Sequence, residues 1–585
     1  MPAAGQTADQ RVVALLDEDL DATMRRHPTW ASQRGDRRFD DQLGDPSPAA
    51  SAAEVADARA RLAKLEAVDV AALSTARRVD ARLLAHTLRE RIEEARWPTW
   101  QLAVGPLGGP QQSLPQLPDR LTFDTKAQRE AWVQRLEKMP AYLDQVGQNL
   151  RAGLASGWTP PRVTVANVAQ QALGQASDAA LADPTTHALY APLRGLPADD
   201  PLAVRGRALL KEQVLPAFRR FGELLRDTWV PGCRTTTAAR ELPDGAAYYR
   251  WRLAVESTTE LTPDQIHAIG LEEVARIEKD MLAVVRRAGF TKEGLDGSAL
   301  DGQPLVRAFV ERLRDDPAQY HASAAALLAA YRDVAKRVDP ELPRLFGTLP
   351  RTPYGVREMP EFIAPTSPTA YYYQGSWRNG VPGYFVANTH RIDQRPKYEM
   401  VALTLHEAVP GHHLQLALQD EQTERHEWRS LAGCTAYVEG WALYAEGLGL
   451  DMGPPGSRGL YADPVDDFGR LSYAMWRALR LVVDTGLHAF GWTRERAISY
   501  MLEKSALTQE NVEREVDRYI SWPAQAVAYA LGRRAIEALR AKCEKTLGDR
   551  FDVRAFHDAV LAEGAVPLPV LEACIHDWLA GQTRR

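Results

Sequence analysis

Residues 405–415 have the sequence Leu-His-Glu-Ala-Val-Pro-Gly-His-His-Leu-Gln, which brings several ionisable side chains together in a largely apolar helical segment. His406 and Glu407 are adjacent, and His412 and His413 follow a Pro-Gly step. Imidazole and carboxylate are the ligand types of hydrolytic zinc sites, which use about three protein ligands and leave one position open. The stretch therefore predicts a zinc site, although its spacing is not that of the usual His-Glu-x-x-His motif.

The spacing of these histidines does not suit a regular helix. Residues four apart on a helix point in nearly the same direction, so a pair of histidines at that spacing can bind one metal ion. His412, six residues after His406, would point about 120° away. His413, seven residues after His406, would point in the right direction but lie about 10.5 Å along the axis.

The Pro-Gly step offers a way to shorten this distance. Pro410 has no N–H to bond the carbonyl of His406, and its ring clashes with that carbonyl in a helix. Gly411 tolerates irregular dihedral angles. We therefore expect a bulge or kink between residues 409 and 412 that brings His412 back towards His406. His412 is favoured because a Gly-His step ends the related motif in many zinc peptidases, and His413 remains the alternative.

Two carboxylates further along the chain complete the predicted site. Glu439 and Glu446 are seven residues apart among apolar residues and so share one helix face. We predict that Glu439 is the third zinc ligand and that Glu446 supports the site by orienting a histidine. Glu407 is predicted to be the general base that takes a proton from a zinc-activated water. The alternative, a polar core cluster without metal, would bury several ionisable groups at a high cost.

The composition excludes several other classes of protein. The net charge of −6 offers no attraction to nucleic acid. The four cysteines contain no Cys-x-x-Cys pair, so neither a thiolate zinc finger nor a disulfide framework is indicated. No apolar run is long enough to span a membrane. The first ten residues do not resemble a secretory signal, so we expect a cytoplasmic protein, or a secreted or periplasmic one if a signal was removed.

The pattern of apolar residues predicts a mainly α fold, a large elongated body of many helices with a minor β element. We expect an N-terminal helical region, residues 1–240, and a catalytic helical region, residues 241–585, in one continuous body. Within the second region, a short strand is predicted at 248–253, and helices at 396–419, interrupted by the Pro-Gly step, and at 424–449.

Another short strand is predicted at 382–388, where aromatic and β-branched residues follow a turn signal. Its free edge could align an extended peptide through main-chain hydrogen bonds. The alternative is a buried hairpin that braces the metal-site helix.

Three motifs resemble those of the bacterial domain-of-unknown-function 885 family. They are the sequences of residues 406–415, of residues 439–446, and of residues 523–526 with Tyr529 and Gly532. That family in turn resembles the gluzincin peptidases, the group of thimet oligopeptidase and angiotensin-converting enzyme. The resemblance implies a helical body split by a substrate channel, two histidines and a downstream glutamate on zinc, and peptide hydrolysis. The two-residue excess before His412 departs from the gluzincin pattern.

Tyrosines and arginines near these motifs are candidates for contacts with the substrate. Tyr or His side chains often stabilise the oxyanion in such sites, and Tyr529 is the first candidate here. Tyr519, Tyr372 and Tyr373 are further candidates. Any of these tyrosines, Tyr529 included, could instead be a packing residue.

Arg477, Arg480 and Arg533 could hold a substrate carboxylate, which would favour peptides with free C-termini. The alternative for these arginines is internal ion pairing with Asp484 or Asp517.

The sequence thus predicts a zinc-dependent peptidase that acts on short peptides or peptide-like amides. Two other functions remain open: a metal hydrolase of a different amide or ester, and a non-catalytic helical binding protein. The cleaved bond, the choice between endo- and exopeptidase action, and the oligomeric state do not follow from the sequence.

Overall fold

The structure is a computed structural model that describes residues 6–583 apart from 107, 295–297, 362–363, 365–367 and 379. The chain divides into two compact units, Met1–Tyr248 with His426–Leu431, and Tyr249–Arg425 with Ala432–Arg585. Residues 1–5, which contribute to the predicted lack of a signal, lie outside the described residues. Within the described part of the chain, no helix is long and apolar enough to cross a membrane.

The first unit is helical. Its helices are α1 (Ala8–Arg26), α2 (Pro28–Gln33), α3 (Pro48–Glu66), α4 (Thr75–Glu94), α5 (Pro110–Ser113), α6 (Lys126–Ser156), α7 (Val168–Gln175), α8 (Asp178–Ala182), α9 (Pro201–Leu209), α10 (Leu215–Leu224) and α11 (Val230–Gly232). The core of the unit includes Trp132 and Leu136 of α6 and Phe218 of α10, all buried. Helix α12 (Gly245–Ser257) contains the boundary between the two units.

The second unit is helical with one small sheet. Its helices are α13 (Pro263–Arg287), α14 (Gly302–Asp315), α15 (Ala324–Val338), α16 (Leu342–Leu345), α17 (Met400–Glu407), α18 (His412–Asp420), α19 (Thr435–Leu448), α20 (Pro464–His488), α21 (Arg494–Lys504), α22 (Gln509–Ser521), α23 (Ala528–Leu547), α24 (Val553–Leu561) and α25 (Leu568–Thr583). Its strands are β1 (Tyr354–Glu358), β2 (Ala370–Tyr373) and β3 (Gly383–Ala387). The prediction of a mainly α fold is confirmed.

The sheet has the order β1-β3-β2. Strand β3 pairs in parallel with β1 and antiparallel with β2. The predicted strand at 382–388 is therefore present as β3, but the prediction of a free edge on it is wrong, because both of its edges are paired. Phe385 of β3 is fully buried and belongs to one apolar cluster with residues of α15 and α17, so the sheet braces the helix that carries His406.

Two predicted elements differ in the structure. Residues 248–253 are not a strand but lie in α12, where Tyr249, Leu253 and Glu256 are buried at helical spacing. The aromatic residues of this segment favour a strand locally, and packing of one helix face overrides that preference. The helix predicted at 424–449 begins only at Thr435, because residues 426–431 belong to the first unit. There, the indole N–H of Trp428 donates to Asp19 at 2.8 Å.

Helix α19 is held unusually close to α23. A Cβ on Gly440 would lie 2.5 Å from the backbone carbon of Gly532, and one on Gly532 would lie 1.7 Å from the carbonyl oxygen of Ala436. Only glycine fits at both crossing points. This contact fixes the position of α19, which carries Glu439 and Glu446.

We predict that Gly440→Ala destabilises the protein by about 1–3 kcal/mol, because the added methyl group meets backbone atoms that cannot move independently. Gly447→Ala is the matched control in the same helix, since a Cβ on Gly447 meets no atom within 4 Å. Alanine at that position should be neutral or stabilise by up to about 1 kcal/mol. Urea unfolding monitored by circular dichroism measures both. Equal stability of the two variants would contradict the close helix contact.

Candidate metal centre

The helix that carries His406 breaks where the sequence predicts. Helix α17 ends at Glu407 and α18 begins at His412. Ala408 leaves the helical conformation with φ −98° and ψ −120°, and Gly411 precedes α18 with φ −76° and ψ −128°. Residues 408–411, which include the Pro-Gly step, therefore interrupt the helix.

Close packing of the backbone sets the shape of this break. A Cβ on Gly411 would lie 2.0 Å from the carbonyl oxygen of His406 and 2.3 Å from that of Leu405. The amide N–H of His413 donates to the carbonyl of Ala408 at 3.0 Å, a bond that spans the break. The carbonyl of Pro410 accepts a hydrogen bond from the indole N–H of Trp441 at 2.8 Å.

The break brings His406 and His412 together. Their ring centroids are 4.8 Å apart and their planes are nearly perpendicular. Glu439 Oε2 lies 3.6 Å from His406 Nε2 and 3.5 Å from His412 Nε2. One ligand atom from each of these three residues falls within 4.8 Å of the others, a grouping that could hold a metal ion.

Glu446 orients His406 by contacting Nδ1, the ring nitrogen that does not face Glu439. Its Oε1 lies 2.8 Å from His406 Nδ1, and both side chains are buried. With an ion bound, a proton on Nδ1 would donate to Glu446 and the Nε2 lone pair would be directed at the cluster. Burial disfavours protonation of His406, but the carboxylates of Glu439 and Glu446 outweigh it and raise the pKa of His406 to about 9 in the ligand-free chain.

The carboxylate of Glu439 has no conventional hydrogen bond at its inner oxygen. Oε2 is buried and lacks a hydrogen-bond partner among the described residues. Burial favours the neutral acid, but His406 and His412 outweigh it and hold the pKa of Glu439 well below its usual range. A buried anionic oxygen between two imidazoles is suited to a cation.

Glu407 follows His406 and ends α17. Its side chain is buried, and burial raises its pKa. Within the described part of the chain the carboxylate accepts no hydrogen bond, so it is available to a small ligand.

His413 lies outside the cluster. Its Nε2 contacts the carbonyl of Thr352 at 3.1 Å, and its Nδ1 contacts the hydroxyl of Tyr372 at 2.9 Å. Burial lowers the pKa of His413 to about 4, so the ring is neutral. It connects α18 to the sheet, and Tyr372 is on β2.

The other candidate tyrosines occupy different surroundings. Tyr529, in the first turn of α23, is partly buried, and its pKa is raised by burial and by the Glu439 carboxylate. Tyr519 is fully buried and donates its hydroxyl hydrogen to Glu515 at 2.7 Å. Tyr373 is 48% exposed at the end of β2. Of these three, Tyr529 is the one on which Glu439 acts electrostatically.

The candidate arginines do form internal ion pairs, but with glutamates, so the expected partners Asp484 and Asp517 are wrong. Asp484 instead accepts hydrogen bonds from the hydroxyl of Tyr249 and the amide of Ala524, and Asp517 pairs with Arg494. The partners of the candidate arginines are Glu446 for Arg477 at 3.4 Å, Glu515 for Arg480 at 3.2 Å, and Glu273 for Arg533 at 2.7 Å.

Two contributors to the site were not singled out from the sequence. Trp441, whose indole binds the carbonyl of Pro410, lies between Glu439 and Glu446 in the sequence. Gln415 places its Oε1 3.5 Å from His412 Nδ1. Both lie within the quoted motifs, but nothing in a helical pattern distinguishes a packing indole or amide from one that supports a ligand.

The fold and the cluster together define a mainly helical protein with a candidate metal centre built on a broken helix. The chain belongs to the DUF885 family, described as bacterial proteins of unknown function, whose model matches residues 28–575. The predicted membership of this family is confirmed. No curated protein matches the chain.

Two solved structures resemble the chain over almost its whole length. A candidate lipoprotein from Colwellia psychrerythraea is 27% identical with a TM-score of 0.85, and the match covers 98% of this chain and 100% of that chain. A second candidate lipoprotein, of unknown function, from Shewanella oneidensis is 19% identical with a TM-score of 0.77 and the same coverage. The Shewanella protein shares the fold, and neither description names an activity.

We predict that Gly411→Ala destabilises the break even in metal-free protein, by about 1–3 kcal/mol or more, because the methyl group would meet two backbone carbonyls. Amide hydrogen exchange should accelerate in residues 404–415. Gly433→Ala is the control, since Gly433 is exposed and a Cβ there meets no atom within 4 Å. Unchanged exchange in Gly411→Ala would show that the break tolerates a side chain at this position.

Proposed function

We propose that this chain is a zinc-dependent peptidase that hydrolyses short peptides or peptide-like amides. The observation that carries the proposal is the convergence of His406, His412 and Glu439, one ligand atom of each within 4.8 Å of the others. The Nε2 atoms of both histidines face Glu439 Oε2, which has no hydrogen-bond partner among the described residues. The chemistry of these donors fits zinc, since two imidazoles and one carboxylate are a ligand set of catalytic zinc sites.

The surroundings of the three ligands support this assignment. Glu446 accepts the Nδ1 proton of His406, an arrangement that is common for zinc-bound histidines and fixes the tautomer. Glu439 is on α19, and the glycine contact between α19 and α23 fixes its position. His412 is at the start of α18, immediately after the break. His413 is proposed to position α18 against the sheet through Tyr372 rather than to bind the ion.

A zinc ion bound by such ligands acts as a Lewis acid that acidifies water and polarises a carbonyl group. In the proposed reaction, Glu407 accepts a proton from the water that attacks the amide carbon. It then delivers that proton to the amide nitrogen as the C–N bond breaks. Burial raises the pKa of Glu407, which makes its carboxylate a stronger base for accepting this proton.

Tyr529 is proposed to stabilise the negative charge that develops on the carbonyl oxygen. Its hydroxyl is a neutral donor, because burial and the nearby Glu439 carboxylate raise its pKa. A preorganised donor of this kind contributes on the order of 3 kcal/mol to stabilisation of the transition state. Tyr519 is proposed to act only indirectly, by holding Arg480, and the exposed Tyr373 is proposed to contact the substrate at the end of β2.

The proposed relationship to the gluzincin peptidases is supported by the order of the residues. A His-Glu pair ends one helix, a second histidine follows, and a glutamate on a later helix completes the ligand set. The break at Pro410 and Gly411 accommodates the two extra residues before His412.

We predict that Glu407→Gln retains one zinc ion per chain while hydrolysis of a mixed-sequence tetrapeptide pool falls by about 10²–10⁴-fold, because the proton acceptor is lost. Metal analysis measures the zinc, and mass spectrometry measures the cleaved peptides. Glu424→Gln is the matched control, since that glutamate is exposed on the surface of the same unit.

Three results would contradict the proposal in different ways. Undiminished cleavage by Glu407→Gln would exclude the role of this residue. Zinc binding with turnover of other amides or esters, but not of peptides, would favour a different metal hydrolase. Wild-type protein that binds no zinc after incubation with the ion would favour a non-catalytic binding protein.

We further propose that the protein works in the cell envelope rather than the cytoplasm. The support is the description of the Colwellia psychrerythraea protein as a candidate lipoprotein, together with its similarity over nearly the whole chain. Fractionation of cells that express the natural gene tests this location, and recovery of the protein only with cytoplasmic markers would contradict it.

A further inference from the structure

Two buried arginines of α20 lie within a stack of aromatic rings. The guanidinium carbon of Arg477 is 4.5 Å from the ring centroid of Tyr473 and 4.7 Å from that of Trp476. The guanidinium carbon of Arg480 is 4.6 Å from the ring centroid of Trp476 and 4.3 Å from that of Tyr529. Because rings cover the flat faces of a stacked guanidinium group, its hydrogen bonds must come from the N–H groups around its edge.

Only some of the N–H groups around the edge of the Arg480 guanidinium group have hydrogen-bond partners. Its Nε donates to the hydroxyl of Tyr519 at 3.1 Å, and its Nη2 donates to Glu515 at 3.2 Å. Its Nη1 is buried and has no partner among the described residues, and the residue as a whole is only 4% exposed. A buried donor without a partner costs stability, so its presence needs an explanation.

The charges around Arg480 do not balance locally. Glu515 pairs with Arg480 at 3.2 Å and also with Arg518 at 2.9 Å. Two guanidinium groups therefore share one carboxylate, and one positive charge in this cluster has no carboxylate of its own. A buried, uncompensated cation is a favourable partner for an anionic group that arrives with a ligand.

The other two candidate arginines are already engaged differently. Arg477 Nη2 is 3.4 Å from Glu446 Oε1, so its charge is directed at the carboxylate that orients His406. Arg533 pairs with Glu273 of α13 at 2.7 Å, a carboxylate that Arg276 and Arg534 also contact, and it lies 3.8 Å from Glu537. All three arginines have one buried nitrogen without a hydrogen-bond partner among the described residues, but only in Arg480 is it a terminal Nη1 rather than Nε. A terminal nitrogen carries two N–H groups, and the Tyr529 ring stacks on this guanidinium group at 4.3 Å.

We propose that Arg480 is a specificity-determining residue that binds a carboxylate group of the peptide substrate through its Nη1 edge. The inference rests on the proposed peptidase function and narrows its substrates to peptides with an anionic group near the cleaved bond. That group is either the free C-terminal carboxylate or an acidic side chain. Tyr529 then contacts the guanidinium group with its ring and the reacting carbonyl with its hydroxyl.

The test uses zinc-loaded Glu407→Gln protein, which should bind peptides without cleaving them. Equilibrium ultrafiltration measures the fraction of each of three synthetic tetrapeptide pools that the protein binds. The first pool has free C-termini and no acidic residues, the second is its C-terminal amide, and the third is an amide pool with one glutamate per peptide. We expect the protein to bind the first or the third pool about tenfold or more tightly than the second. A charge-assisted hydrogen bond provides binding free energy of this size. Preference for the first identifies the C-terminus, and preference for the third identifies a side chain.

When Arg480→Gln is added to the same protein, the retention of the three pools should differ by no more than about twofold. Arg480→Lys keeps the charge but loses the planar guanidinium group, so it should give an intermediate preference. Arg494→Gln is the control, because Arg494 pairs with Asp517 on the neighbouring helices and should leave the preference unchanged. Cooperative thermal unfolding of each variant verifies its fold. If Arg480→Gln does not fold, Arg480→Lys decides the result.

Equal retention of the three pools by the parent protein, or an equal loss of all three in the Arg480 variants, would overturn the inference. Turnover by the wild-type protein is measured in parallel on the free-acid pool. Lack of zinc-dependent turnover would contradict the proposed function. Equal retention of the three pools would contradict only the role of Arg480. The two failures are therefore distinguishable.

Discussion

The approach of Gly411 to the carbonyl oxygens of Leu405 and His406 is the constraint on which the candidate site depends. A regular helix would keep His412 about 120° away from His406. The chain instead leaves the helix after Glu407 and restarts at His412, and no side chain larger than hydrogen fits beside those carbonyls. The same break that removes helical hydrogen bonds is what brings the two imidazole rings to a centroid distance of 4.8 Å.

One helix, α19, both fixes this break and supplies the carboxylates. Its Trp441 binds the carbonyl of Pro410, its Glu439 faces both imidazoles, and its Glu446 holds His406 from the other side. A shift of α19 would therefore disturb the break, the proposed ligand set and the histidine tautomer together. The glycine contact with α23 opposes such a shift, so the close packing at Gly440, next to Glu439, helps to determine the geometry at the imidazoles.

Local patterns predict a part of this arrangement and long-range contacts decide the rest. The break at Pro410 follows from a missing N–H, and the shared face of Glu439 and Glu446 follows from helical periodicity, so both could be predicted. The pairing of both edges of β3 depends on strands distant in sequence, and its predicted free edge was wrong. Arg480 pairs with Glu515 of α22 rather than with Asp517 of the same helix, and which face of α22 packs against α20 could not be predicted from the sequence.

The position of the metal ion is the most direct test of this account. Crystals grown with zinc and measured on both sides of the zinc absorption edge give an anomalous difference map that locates the ion independently of any assay. The account predicts a single strong peak bounded by His406 Nε2, His412 Nε2 and a carboxylate oxygen of Glu439, with His413 still bonded to Tyr372 and Thr352. A peak at His413, or zinc bound only elsewhere on the chain, would contradict it.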